Sequence, residues 1–209
     1  MPFSNTYSEE DSMSKCLKDG FCVAPRKENE IRAAAEQFRK ILCDHDDIYY
    51  LDITRLLEFK MPKLFPGFRY EIVEPDELPG REAEMNPFEY CIRIQEPVYI
   101  KAMNGDGHCR FTIAHEIGHF IMHRTQTLAF GRKAQNGNIP SYMNSEWQAD
   151  VFARNLLAPF SLAHKMIPQA IETVFGVSRS VAEIIAGKRC APVFSPKPRG
   201  GFVQMTLGF

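Results

Sequence analysis

The chain has 209 residues, 44% of them hydrophobic and 24% charged, with a net charge of −1. That length supports one substantial domain with a sizeable core, and the balance excludes collagen, coiled coil and wholesale disorder. A near-neutral total also excludes a generic nucleic-acid binder. No apolar run reaches the roughly 18–20 residues of a membrane span, and the polar opening MPFSNTYSEEDSMSK lacks the apolar core of a signal peptide. Six cysteines, Cys16, Cys22, Cys43, Cys91, Cys109 and Cys190, are scattered without a Cys-x-x-Cys pair. That pattern fits neither a disulfide nor a zinc-finger framework, and it points to a reducing cytoplasm.

In chain order, residues 1–24 read as a flexible leader. From Glu28 to Cys43 the apolar residues Ile31, Ala34, Ala35, Phe38, Ile41 and Leu42 recur at helical spacing, which predicts an amphipathic helix. A second helix is expected over Ile53–Phe59, stopping before Pro62. Arg69–Val73, Tyr90–Ile94 and Pro97–Ala102 carry β-rich residues between turn signals and read as the three strands of a small sheet. Asn104-Gly105-Asp106-Gly107 is a strong turn. FTIAHEIGHFIMH then predicts a helix from about Arg110. Thr125–Asn144 has little periodicity and reads as a lid-like loop. A strong helix follows from Ser145 to Ala158 before Pro159, then two more over Ser161–Ile171 and Val181–Ile185. The domain reading is a main body over 25–160 and a helical C-terminal segment with a basic tail over 161–209.

His115, Glu116 and His119 form a His-Glu-x-x-His motif. Histidines four apart share one helical face, so two imidazoles can grip one ion. Glu116 lies beside them, suited to taking a proton from a metal-activated water. A third protein ligand is required, and Glu146 on the next strong helix can complete a His/His/Glu set with one position left for water. Asp150, one turn later, can accept a hydrogen bond from the unused nitrogen of a ligating histidine. His123 lies about 80° round the helix and about 12 Å along it from His115. The three-histidine arrangement needs a glycine turn after the second histidine that is missing here, so His123 is expected to pack against the sheet. Tyr142, just before Glu146, is a candidate oxyanion donor. Cys109 either packs as a small buried hydrophobe or folds back from the loop junction as a thiolate, an inhibitory fourth ligand.

Arg110-Phe-Thr-Ile-Ala-His-Glu-Ile-Gly-His119, Glu146-Trp-Gln-Ala-Asp-Val-Phe-Ala153 and Leu156-Leu-Ala-Pro159 together resemble the ImmA/IrrE family of metallopeptidases. The resemblance implies an α+β, zincin-like fold, with helices packed on a small three-stranded sheet. It implies one zinc held by His115, His119 and Glu146, with Glu116 as base. Gln148 departs from it, since many members carry a second acid there. The resemblance also implies a role: a cytoplasmic endopeptidase whose substrate is a helix-turn-helix repressor, cleaved after DNA damage or another stress.

Charge is segregated along the chain. Glu71–Glu89 holds seven acids and the single base Arg81, whereas Arg124–Ser145 has three bases and no acid. Arg124, Arg132 and Lys133, or the Lys188–Arg199 tail, are therefore candidate contacts for single-stranded nucleic acid as an activator. The rival reading is a non-catalytic, zinc-containing DNA-binding regulator, because Val174–Arg179 between two helical patterns resembles the turn of a helix-turn-helix. Its alternative is a helical hairpin packed on the body. Glu116 separates the two functions, since a structural zinc site has no use for a base and is closed by four ligands.

Overall fold

The computed structural model describes residues 20–43, 49–86, 88–124 and 139–187. The first helix, α1 (Glu28–Leu42), buries Ile31, Ala35, Phe38 and Leu42 along the stripe its periodicity marks. Helix α2 is composite: Ile53–Arg55, a π-helical Leu56–Lys60, and Met61–Leu64. The sequence expectation that it stops before Pro62 does not hold. Met61 N–H reaches back to the Leu56 carbonyl in the wide π turn, and Pro62 then occupies the first turn of the next segment. There a missing N–H costs little.

Three strands follow: β1 (Arg69–Val73), β2 (Ala83–Asn86) and β3 (Cys91–Gln95), in the spatial order β1-β3-β2. β1 runs parallel to β3 and β2 antiparallel to it. The third strand is therefore Ala83–Asn86, not Pro97–Ala102. The latter segment lies in helix α3 (Glu96–Met103), where Pro97 sits in the first turn, a position that suits its fixed φ and absent N–H. The pairing aligns Glu71, Arg93 and Glu84 in one cross-strand row. Arg93 binds Glu71 at 3.7 Å, Glu77 at 3.2 Å and Glu84 at 3.4 Å. Much of the acidic run is thus gathered on one guanidinium.

Helix α4 (Gly107–His123) starts in the Asn104–Gly107 turn, with the Asp106 carboxylate accepting from Cys109 N–H at 2.8 Å. Helix α5 (Ser145–Leu157) packs along it. Short helices α6 (Phe160–Ala163), α7 (Pro168–Phe175) and α8 (Arg179–Ile185) complete the described chain. The single helix expected over Ser161–Ile171 is two, because Pro168 opens a new one. One core joins these elements. Phe120 of α4 meets the rings of Phe65, Phe68 and Tyr90 edge-on, and Phe38 of α1 meets Phe152 of α5.

Two fully or nearly buried arginines tie the layers together. Arg39 donates to the carbonyls of Leu156 at 2.5 Å and Leu157 at 3.2 Å, at the end of α5, and to that of Tyr49 at 3.0 Å. Arg110 of α4 donates to Phe175 O at 2.9 Å, to Gly176 O, and to Leu51 O at 2.7 Å, with its guanidinium 3.9 Å above the Tyr50 ring. Both place positive charge where a helix leaves its last carbonyls without partners. Gly176 ends α7 in the left-handed region at φ 62°, which glycine adopts without penalty. The turn that resembles a helix-turn-helix is thus occupied in anchoring α4, as a packed hairpin would be.

Residues 20–24, which the sequence reading assigns to the leader, join residues 25 and 26 in a strap that runs antiparallel to the segment before α5. Phe21 N–H donates to Ser145 Oγ at 3.0 Å, Val23 N–H to Met143 O at 2.9 Å and Arg26 N–H to Tyr142 O at 2.9 Å. Unpaired backbone beside a buried site would be costly, and this pairing avoids it.

Candidate metal centre

The site lies where α4 and α5 pass closest. Gly118, one residue before His119, faces the backbone of Ala149. A Cβ at Gly118 would lie 3.1 Å from the Ala149 carbonyl oxygen and 3.2 Å from its Cα. This close approach lets α5 present Glu146 and Asp150 to α4. Asn144 starts α5 at the required point, its side chain accepting from the N–H groups of Glu146 at 2.8 Å and Trp147 at 3.1 Å.

The structure brings His115, His119 and Glu146 together, with one donor atom from each lying within 4.8 Å of the others. His115 Nε2 is 2.9 Å from His119 Nε2 and 3.2 Å from Glu146 Oε2, and His119 Nε2 is 3.3 Å from Glu146 Oε1. A tetrahedral zinc bonded at about 2.0–2.1 Å sets its donors about 3.3 Å apart. Both the separations and the N/N/O donor chemistry therefore fit zinc. Asp150 Oδ1 stands 2.8 Å from His115 Nδ1, so it fixes that ring with Nε2 turned to the centre.

Electrostatics favour a cation here. Burial opposes charging His115, but hydrogen bonds to Asp150 and Glu146 outweigh it and push its pKa up to about 10. Burial would raise Glu146, yet its contacts with His115 and His119 hold it well below the usual carboxylate range. Glu116 is buried to 8% exposure beside the pair. Among the described residues its carboxylate takes no hydrogen bond and stays outside the ligand group.

His123 does not pack against the sheet as expected. It is buried next to His119, the two Nδ1 atoms 3.3 Å apart, with Phe21 edge-on to its ring. Burial, and then the neighbouring His119, push its pKa down to about 3. Its Nε2 meets Gln148 Oε1 at 3.2 Å, and Gln148 is fully buried. The part played by Gln148 was missed in the sequence, where it stands out as the departure from the family's second acid rather than as a partner of His123.

Other candidates fall elsewhere. Cys109 is not at a loop junction but in the first turn of α4, buried in the core. Burial and the adjacent Asp106 push its thiol up to about 11, so it is neither a thiolate nor near the metal group, and the inhibitory switch is not supported. Tyr142 is half exposed; its carbonyl accepts from Arg26 N–H and Gln148 Nε2 at 2.9 Å each. Arg124 is spent on packing: its guanidinium lies 4.7 Å from the Phe65 ring centre and donates to Ile121 O at 3.2 Å. Arg132, Lys133 and the Lys188–Arg199 tail lie outside the described residues.

A helix of two histidines and a glutamate, crossed by a second helix bearing a third donor over a small sheet, defines a zincin-like metallopeptidase fold. Residues 82–184, which carry α4 and α5, match the family model described as the IrrE N-terminal-like domain, a match that supports a protein of the ImmA/IrrE family of metallopeptidases. No curated protein matches the chain. Among the described residues no helix is long and apolar enough to cross a membrane.

The Gly118 contact has a measurable consequence. Gly118→Val would force α5 away from α4, and overpacking of this kind costs about 1–3 kcal/mol. Part of that cost falls on the spacing between the ligand helices. Zinc Kd is expected to rise on the order of tenfold while the far-ultraviolet dichroism stays helical. Unchanged affinity would show that the contact does not set the spacing.

Proposed function

We propose that this protein is a zinc-dependent endopeptidase of the cytoplasm that cleaves a partner protein, a helix-turn-helix transcriptional repressor, in response to DNA damage or another stress. The observation that carries the catalytic part is the convergence of His115, His119 and Glu146 with a buried carboxylate, Glu116, left out of the ligand set. A structural site would have no use for that carboxylate. The repressor and the stress signal rest on resemblance to the family alone.

His115, His119 and Glu146 would hold the zinc ion, which would supply Lewis-acid polarisation of the peptide carbonyl and acidification of water. Glu116 takes the proton of the attacking water and passes it to the leaving amine. Its burial strengthens that role by limiting competing solvent. Asp150 keeps His115 oriented, and the half-exposed Tyr142 is available as a donor to the developing oxyanion.

Purified protein is expected to contain about one zinc per chain, as one tetrahedral site requires, and to cut the repressor encoded nearest to it. Glu146→Ala should lose most of the metal, while removal of zinc by a chelator should stop cleavage and added zinc restore it. Full zinc content in the Glu146 variant would remove the ligand assignment. A zinc-loaded enzyme that leaves every such repressor intact would remove the substrate.

A further inference from the structure

We propose that Gln148 and His123 form a positioning relay that holds His119 in the tautomer whose Nε2 carries the free lone pair, and that the strap's main chain sets that relay. The inference rests on the reading of this site as a metal centre. It concerns how one of the ligands is kept ready.

The hydrogen-bond logic runs inward from the strap. Gln148 Nε2 is 2.9 Å from the carbonyl of Ala24 and 2.9 Å from that of Tyr142. Carbonyl oxygens only accept, so the amide nitrogen must face them with its two hydrogens. That orientation turns Oε1 towards His123 Nε2, 3.2 Å away. Oε1 also only accepts, so His123 Nε2 must carry a hydrogen. Within the described residues His123 has no carboxylate at hydrogen-bonding distance; its ring meets His119, Gln148 and the Phe21 ring. A neutral ring protonated at Nε2 has a bare Nδ1, and that atom lies 3.3 Å from His119 Nδ1. Two bare nitrogens would repel, so His119 Nδ1 donates. Its Nε2 is then the bare atom, and Nε2 is the one facing His115 and Glu146.

The two ligating histidines are therefore prepared differently. His115 leans on a carboxylate, Asp150, whereas His119 leans on a neutral chain ending in backbone carbonyls. The relay orients a ligand without adding a second negative charge, and it makes ligand preparation depend on the docked strap. Orienting partners of this kind are worth 10–100-fold in metal affinity.

The test uses histidine-labelled protein, with ring tautomers read by nitrogen–proton correlation in the metal-free state and zinc Kd read by competition with a chromophoric chelator. Wild type should show one His119 tautomer, protonated at Nδ1. His123→Phe and Gln148→Met should each raise Kd by about 10–100-fold, and Gln148→Met should mix the His119 tautomers. Gln148→Glu keeps an acceptor for His123 but loses both donors to the Ala24 and Tyr142 carbonyls, so it too should mix the His119 tautomers and raise Kd. A single His119 tautomer with native Kd in Gln148→Met would overturn the relay, whatever its Tm. If Gln148→Met does not fold, native Kd in His123→Phe overturns it instead. Wild type that binds no zinc would instead count against the metal-centre reading, and the metal-free tautomers would still decide the relay.

Discussion

Glu116→Gln is expected to keep its zinc and lose about 10²–10⁴-fold in peptide cleavage, the range associated with a positioned general base. The substitution preserves the shape of the side chain and removes its basicity. Metal should stay because the ligand group comprises His115, His119 and Glu146, and Glu116 makes no hydrogen bond within the described residues that the amide would break. Native folding is also expected, since a neutral amide is less costly to bury than a carboxylate. Metal analysis and a cleavage assay on the same preparation check both halves. Cleavage at the native rate would show that another group takes the proton.

The largest loss of stability is expected at Arg110, outside the ligand group. Arg110→Met leaves the carbonyls of Leu51, Phe175 and Gly176 without their donor in a dry interior. An orphaned buried acceptor costs about 1–3 kcal/mol. Relief of the guanidinium's own desolvation offsets part of the sum, because burial already lowers its pKa. A net loss of about 3 kcal/mol is expected, which corresponds to a fall in Tm of roughly 6–12 °C for a chain of this size. Lysine should not rescue it, since an ammonium cannot reproduce the planar fork that reaches three carbonyls. Urea unfolding of both variants against wild type gives the comparison, and a native midpoint for the methionine variant would refute the account.

The elements with the clearest periodicity were the most legible. The stripe Ile31, Ala35, Phe38 and Leu42 forms one buried face of α1, and spacing alone brings His115 and His119 onto one side of α4. The failures have local causes. Val98, Tyr99 and Ile100 favour strands by propensity, yet Pro97 opens a helix whose Val98 and Ala102 are buried, and packing outweighs propensity. Ala-Glu-Met-Asn has no strand signature; it is held in β2 by pairing with β3 from Cys91 to Ile94. Cys109 was ambiguous because a helix start two residues earlier or later turns the thiol to a different environment. Around the site, the ligand spacing was readable because it is local. Gln148 was not, since its partners are Ala24, Tyr142 and His123, and only the fold brings those together.

The strap has a consequence for how the protein is made. Its Ala24 carbonyl receives Gln148 across a separation of 124 residues, the same separation that divides Phe21 from Ser145. At about 5–20 residues per second of synthesis, the strap waits on the order of ten seconds for its partners to be translated. The two histidines of α4 emerge during that interval, before Glu146 exists. A nascent chain thus carries an incomplete ligand set until α5 has left the ribosome, and the strap then closes a loop of that length.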